Sequence, residues 1–324
     1  MLKRVLLAGL AIAALVSPAG AFDFLYTGRT PATLARGTLD VGLSVLYVTS
    51  DDTYNEDGTT VPSGADWTAT WIPVEFSYGI TDLLTGGLTG GYGSLSLDGV
   101  PSVSDPEQRS DAKRDYEGAG IGDLWVWMKY GVREDPLVAV RGAVKIPAGA
   151  GPVDRAHAVA DTGFFLDDGG HLALGDGQTD IDGAVLLGFP MQTGVFELSL
   201  GYRYRMGQTV NKDDNSYDYE PGNEFHFDLG YRYDLNDAMD LRLGLSGFYG
   251  SDDSAETDYS GPDHSQESLE ECLEGSSRSA VWIDTSFAYV MKNGILLGFD
   301  VHHPLMGQNV PAEWGIAFRL GLAV

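Results

Sequence analysis

Between Gly120 and Val132 the chain reads GIGDLWVWMKYGV. Its even positions from Leu124 to Val132 are all apolar, while its odd positions combine Asp123 and Lys129 with Trp125 and Trp127. A period of two is the signature of a β-strand. In a soluble sheet the apolar row would face the core and leave two tryptophans stranded on the wet side. In a membrane barrel the assignment reverses: the apolar row meets lipid, and the charged, aromatic row faces an enclosed lumen. Only the second arrangement gives both rows a suitable environment.

The same alternation recurs in about twelve segments of roughly the 9 to 11 residues that a tilted spanning strand needs. They lie near 39–49, 68–79, 83–97, 120–132, 137–147, 179–189, 195–207, 223–233, 241–249, 279–290, 295–302 and 312–324. Connections at 79–82, 133–136, 190–194, 234–240 and 291–294 are short. Those at 50–67, 98–119, 148–178, 208–222 and 250–278 are long and mostly acidic, with 303–311 intermediate. Short and long alternate strictly, as in outer-membrane barrels with short periplasmic turns and long extracellular loops. The expected fold is therefore all-β: a single antiparallel transmembrane β-barrel of about twelve strands, the boundaries being compatible with ten to fourteen.

Two strands show the pattern clearly. Phe225, Phe227, Leu229, Tyr231 and Tyr233 share one face, with Glu224, His226, Asp228 and Arg232 on the other. In the last strand Trp314, Ile316, Phe318, Leu320 and Leu322 oppose Glu313 and Arg319. Tyr47, Tyr78, Tyr130, Tyr204, Tyr233, Tyr249 and Tyr289 stand near strand ends, where interfacial girdles form.

The address agrees with a barrel. Residues 1–21, MLKRVLLAGLAIAALVSPAGA, have a basic start, a short apolar run and an Ala-x-Ala site, which predicts a cleaved secretory signal peptide followed by a barrel over 22–324. A mean hydropathy of −0.10 does not oppose this, because alternating strands hide their lipid face in the average. The formal charge of −27 makes nucleic acid an unsuitable partner. Cys272 is the single cysteine, so the chain has no internal disulfide.

Parity sends Asp123, Lys129, Arg141, Lys145, Arg203, Arg205, Asp228 and Arg232 into the lumen, along with Glu75, Asp180, Asp182, Glu197, Glu224, His226, Arg242, Asp284, Asp300, His302, Glu313 and Arg319. Both signs are present, which suits paired charges bracing the barrel better than an ion-selective constriction. Trp67, Trp71, Trp125, Trp127 and Trp282 also point inward, and Trp314 outward. Indoles in a lumen offer a sliding surface for aromatic or apolar solutes; equally, they fill space beside charges. Pro73 is a candidate bulge that would flip Trp71. If Val132 opposes Pro136, the hairpin register sets Asp123 against Lys145 and Trp127 against Arg141.

Catalysis finds little support. His157, His171, His226, His264, His302 and His303 sit in no nucleophile–base motif. His302 and His303 point to opposite faces, so neither a metal site nor any other cofactor is expected. The acidic stretches 51–58, 213–220 and 251–275 are suited to divalent cations that bridge to lipopolysaccharide, although none has calcium-loop spacing.

Several stretches, taken together, resemble a known family: RTPATLARGTLDVGLSVLYV (29–48), VEFSYGITDLL (74–84), GAGIGDLWVWMKYGV (118–132), VAVRGAVKIPAGAG (138–151) and the closing HHPLMGQNVPAEWGIAFRLGL (302–322). They are similar to the outer-membrane family named for the meta-pathway of phenol degradation. The most specific signature is Gly-Asp-Leu before a strand ending in Lys-Tyr, then a strand ending in Lys-x-Pro-x-Gly, where Ala148 replaces the usual Thr. The resemblance implies an outer-membrane barrel with a transport role.

The expected function is passive passage of small solutes, aromatic or apolar compounds among them, across the bacterial outer membrane. Trp71, Trp125, Trp127 and Trp282 would contact solute, and the lumen charges would set the electrostatics. The alternative is a closed structural or surface-interaction barrel with a charge-filled lumen. Solute identity and oligomeric state are not legible.

Overall fold

A computed structural model describes residues 30–101, 113–149, 172–175, 177–212, 215–257, 277–292 and 294–324. The expected signal peptide, Cys272, His157, His171, His264 and most of the acidic stretch 251–275 lie outside them.

The first half holds β1 (Leu39–Tyr54), β2 (Thr60–Thr81), β3 (Leu84–Pro101), β4 (Lys113–Ile121), β5 (Leu124–Glu134) and β6 (Leu137–Ile146). There follow β7 (Asp180–Met191), β8 (Gly194–Arg205) and a small hairpin of β9 (Gln208–Lys212) and β10 (Asn215–Glu220). The chain ends with β11 (Glu224–Asn236), β12 (Met239–Gly250), β13 (Ser254–Thr257), β14 (Arg278–Val290), β15 (Ile295–Gln308), β16 (Val310–Pro311) and β17 (Trp314–Ala323).

Each long strand pairs antiparallel with its sequence neighbour, and β1 pairs with both β2 and β17, so the sheet closes on itself. Because β4 and β5 are two halves of one stave beside β3, interrupted at Gly122–Asp123, the closed sheet is a twelve-stranded barrel. β9, β10 and β13 form a separate three-stranded sheet at the long-loop end.

Closure gives β1 and β17 a partner on both sides, so the barrel has no seam left open, which is what a hydrocarbon environment requires of spanning strands. The outer surface matches that environment: Val126, Met128, Ile181, Val185, Phe318 and Leu320 are all exposed, while their strand neighbours are buried. Tyr47 packs edge-on against Trp314 at 6.5 Å between ring centroids, part of the expected aromatic girdle. The spanning strands form a closed barrel with an apolar, lipid-facing exterior.

Several strands outrun their sequence boundaries at the long-loop end. The expected 50–67 loop is a hairpin in which β1 and β2 continue to Tyr54 and Thr60, and β15 continues through much of 303–311. The apolar row marks only the lipid-embedded part of a strand; above it the backbone ladder continues without an apolar face to reveal it.

Two segments depart from a plain barrel. Residues 30–37 cross the short-turn mouth on the inside: Lys129 Nζ donates to the Thr30 carbonyl at 3.0 Å, and the Leu34 amide donates to Thr85 Oγ1 at 2.9 Å. A Cβ on Gly79 would lie 2.0 Å from the Ala35 carbonyl oxygen, so this mouth is fitted to its strap. The second segment is Leu172–Gly175, from the long β6–β7 connection, which lies against the inner face of β4. There Gly118 leaves so little room that a Cβ would meet the Leu172 carbonyl oxygen at 2.1 Å. Leu172 and Leu174 are buried as a result.

Candidate functional site

The lumen has two unlike walls. One is apolar: Leu46 and Val48 on β1, Trp67, Ala69 and Trp71 on β2, Leu95 and Leu97 on β3, and Trp125 and Trp127 on β5 form one buried cluster with Leu172 and Leu174. Trp71 is 0 % exposed, whereas the outward Trp314 is 43 % exposed. Glycines on facing strands make room for the indoles. A Cβ on Gly93 would fall 1.8 Å from the Trp71 ring, one on Gly122 2.3 Å from it, and one on Gly87 2.2 Å from Trp127. Pro73 introduces no bulge; it sits opposite Gly91 in regular register, and Trp71 stays inward.

The other wall, from β6 round to β15, is charged and paired. Asp182 accepts from Arg141 at 2.9 Å and lies 2.6 Å from His226 Nε2. Lys145 meets Asp180 at 2.5 Å, and Arg203 meets Glu224 at 3.4 Å. Glu197 bridges Arg232 at 3.3 Å and Arg242 at 3.8 Å, and Arg242 also pairs with Asp228. At the short-turn end Arg319 reaches Glu75 at 3.3 Å and Asp40 at 3.8 Å. Opposite charges bound inside a barrel offset each other's desolvation and tie neighbouring strands together.

Every residue assigned inward by alternation is buried, including Arg205 and Arg232. The register within the β5–β6 hairpin differs from expectation. Asp123 does not face Lys145, nor Trp127 Arg141; Trp125 lies opposite Lys145 and Lys129 opposite Arg141. The turn is tighter than assumed, with Glu134 opposite Leu137, and a bulge between Gly131 and Arg133 adds a one-residue offset. The cation–π contacts therefore fall on Trp125, with Lys145 Nζ 6.0 Å and Arg203 Cζ 5.4 Å from its ring centroid. Asp123 Oδ1 instead accepts from the amides of Ala148 and Gly149, each at 3.2 Å, anchoring the end of β6 to the break in the stave.

The structure gathers Trp71, Trp125 and Trp127 but sets Trp282 apart. Trp282 stacks on Phe248 at 5.9 Å in a second cluster with Tyr54, Ala280 and Val310. His302 is buried and His303 exposed, on opposite faces as expected. Among the described residues no group of three His, Cys, Asp or Glu side chains is arranged to hold a metal.

Sequence reading missed Asp40 and Asp240, which lie at strand starts where alternation has no context. It also missed the inward fold of 172–175; the glycines at 118, 120 and 122, all on one face of a strand, were the available signal. Between that segment and β3–β4 lies a cavity of about 610 Å³, lined by Ser94, Ser96, Glu117, Ile121, Leu172 and Leu174 among others.

The family described as "Putative MetA-pathway of phenol degradation" matches residues 49–320. The chain belongs to that family. No curated protein matches it. Among solved structures, the fold is similar to that of an outer-membrane channel from Pseudomonas putida F1, with a TM-score of 0.67 at 15 % identity, over 90 % of this chain and 97 % of that one. The translocator domain of the autotransporter NalP from Neisseria meningitidis is more distant, with a TM-score of 0.48 at 10 % identity over 89 % and 88 % of the two chains. The monoaromatic hydrocarbon channel CymD stands at 0.41 and 10 % identity over 99 % and 96 %. The first of these supports the barrel fold; the other two are too distant to add to it.

Proposed function

We propose that the chain is a passive outer-membrane channel for small apolar, chiefly aromatic, compounds, with Trp71, Trp125 and Trp127 forming the surface along which they move. The observation that carries this reading is the buried apolar cluster on β1, β2, β3 and β5 inside a transmembrane barrel. A barrel braced only by ion pairs needs no such wall, and a water-filled porin would not line four of its twelve staves with indole and leucine. Family membership agrees with aromatic chemistry. The reading is of a conduit and not of an enzyme, with no cofactor.

In this reading Arg141, Lys145, Arg203 and Arg205 fix the opposite wall and set the potential that a solute meets. The acidic outer segments face lipopolysaccharide, with divalent cations as bridges. The paired charges favour a second reading, a closed structural barrel, because they fill space as well as shape it. Flux decides between the two. Liposomes carrying the folded protein should take up toluene or phenol faster than empty liposomes. Replacing Trp125 and Trp127 together with Ala should change that rate at least severalfold. An unchanged rate with only a loss of stability would leave the structural reading standing.

A further inference from the structure

Glu313 stands apart from the other lumen carboxylates. It immediately precedes β17, and the next residue, Trp314, faces lipid, so alternation points Glu313 into the barrel. It is 0 % exposed, and neither carboxylate oxygen has a hydrogen-bond partner among the described residues. No cationic side chain among the described residues acts on it either. Asp182, Asp180, Glu197, Glu224, Asp228 and Glu75 each have an Arg or Lys within reach.

The register locates its surroundings. Trp314 opposite Thr49 places Glu313 beside Ser50, which lies opposite Trp67. On the other side, Gly315 opposite His302 brings Glu313 level with Pro304, which is opposite Trp282. Trp282 Nε1 is likewise buried without a partner among the described residues, and its ring carries the Phe248 stack. Glu313 and Trp282 are thus two strands apart, about 10 Å at ordinary strand spacing.

A carboxylate taken out of water without a counter-charge is strongly unfavourable, so such a group either takes up a proton or is met by a cation at hydrogen-bond distance. None of the described residues supplies one here, and the register sets Trp67 and Trp282, whose rings can attract a cation, on strands to either side. We propose that the outer end of the lumen at Glu313 binds the protonated amino group of an arylalkylamine, the carboxylate pairing with the ammonium and the Trp282–Phe248 stack taking the apolar body. An arylalkylammonium would lie across β15, the one strand between them. This rests on the channel reading and deepens it by naming a solute class that the apolar wall alone would not distinguish.

The test uses the full folded chain in detergent at neutral pH and two probes of equal size, phenethylammonium chloride and neutral 2-phenylethanol. Binding is read from tryptophan fluorescence and confirmed by equilibrium dialysis. The expected result is at least tenfold tighter binding of the ammonium, with that preference abolished in Glu313→Gln, partly kept in Glu313→Asp, and 2-phenylethanol unaffected by either change. Equal affinity for the two probes, binding of neither, or a preference that survives Glu313→Gln overturns the proposal and leaves Glu313 as a protonated filler. Should the Gln variant fail to fold, the ratio between the probes on the unaltered chain decides alone. Liposome flux of 2-phenylethanol separates the two readings: flux without an amine preference sinks only this proposal, and an amine preference without flux sinks only the channel.

Discussion

The two walls of the lumen are built on opposite physical terms. The wall of β1, β2, β3 and β5 is held by packing, with indoles seated over glycines and leucines between them, and its stabilisation is spread over many weak contacts. The wall from β6 to β15 is held by a few buried ion pairs, in which Asp182 serves both Arg141 and His226 and Glu197 serves both Arg232 and Arg242. A packed wall loses stability in proportion to what is cut away. A paired wall fails in larger steps, because removing one partner leaves another charge buried alone. The first wall therefore yields gradually, while the second holds the barrel's shape.

This contrast can be broken at several points. The largest effect is expected for Asp182→Ala, which strands Arg141 and His226 together and should cost about 5 kcal/mol, the top of the range for a broken buried pair. Guanidinium unfolding in lipid vesicles measures it, and a loss below about 1 kcal/mol would mean that the charged wall is wet and the contrast false. Trp71→Ala should cost about 3–5 kcal/mol, since Gly93 and Gly122 beside the ring have no side chains to fill the space it leaves.

Gly93→Ala probes the same wall in the opposite sense. A methyl 1.8 Å from the Trp71 ring must push the indole aside, for about 1–3 kcal/mol and an altered tryptophan emission spectrum. Stability and emission matching the unaltered chain would show the wall to be loosely packed. Lys129→Met, which releases the Thr30 carbonyl, should cost less stability but raise single-channel conductance by freeing the strap at the mouth; a conductance no different from the unaltered chain would remove the strap's role as an obstruction.

The smallest effect lies outside the membrane. Burial would raise the pKa of Asp253, but Arg278, Arg205, the Tyr219 hydroxyl and the Gly222 amide outweigh it, so the carboxyl titrates below its ordinary value. A depressed carboxyl adds stability that is full above the unfolded pKa of about 3.9 and is lost as pH falls through the lower folded value. Asp253→Asn should remove that acid-side dependence for the outer three-stranded sheet, as read by hydrogen exchange of β10 amides between pH 5 and pH 2.5.

Most of the barrel was legible in the sequence because its two faces meet different solvents. Lipid selects Val126, Met128 and Tyr130, and the lumen selects Trp125, Trp127 and Lys129, so parity alone assigns each side chain to a face. Register is a different kind of fact. It depends on turn tightness and on a bulge at Gly131, neither of which leaves a hydropathy mark, and so the partners of Asp123 and Trp127 were misplaced. The strap at 30–37 and the inturned Leu172–Gly175 were also hidden, since both lack a repeat and are positioned by steric fit to glycines such as Gly79 and Gly118. The solute-contacting role of the tryptophans depends on what passes through the lumen, which neither alternation nor burial records.

The closing seam has a consequence for how the molecule is made. β1 and β17 are zipped from Asp40 opposite Ala323 to Thr49 opposite Trp314, joining nearly the two ends of the sequence. Loop-closure entropy grows only with the logarithm of chain length, so this long-range join adds little to the equilibrium cost, but it can form only after the last strand has arrived. A sheet formed before that join would have two bare edges, an apolar outside and unburied charges within, and would be able to pair edge to edge with its own copies. Escorting that sheet to the membrane before it meets another like it is a task the finished cylinder no longer reveals.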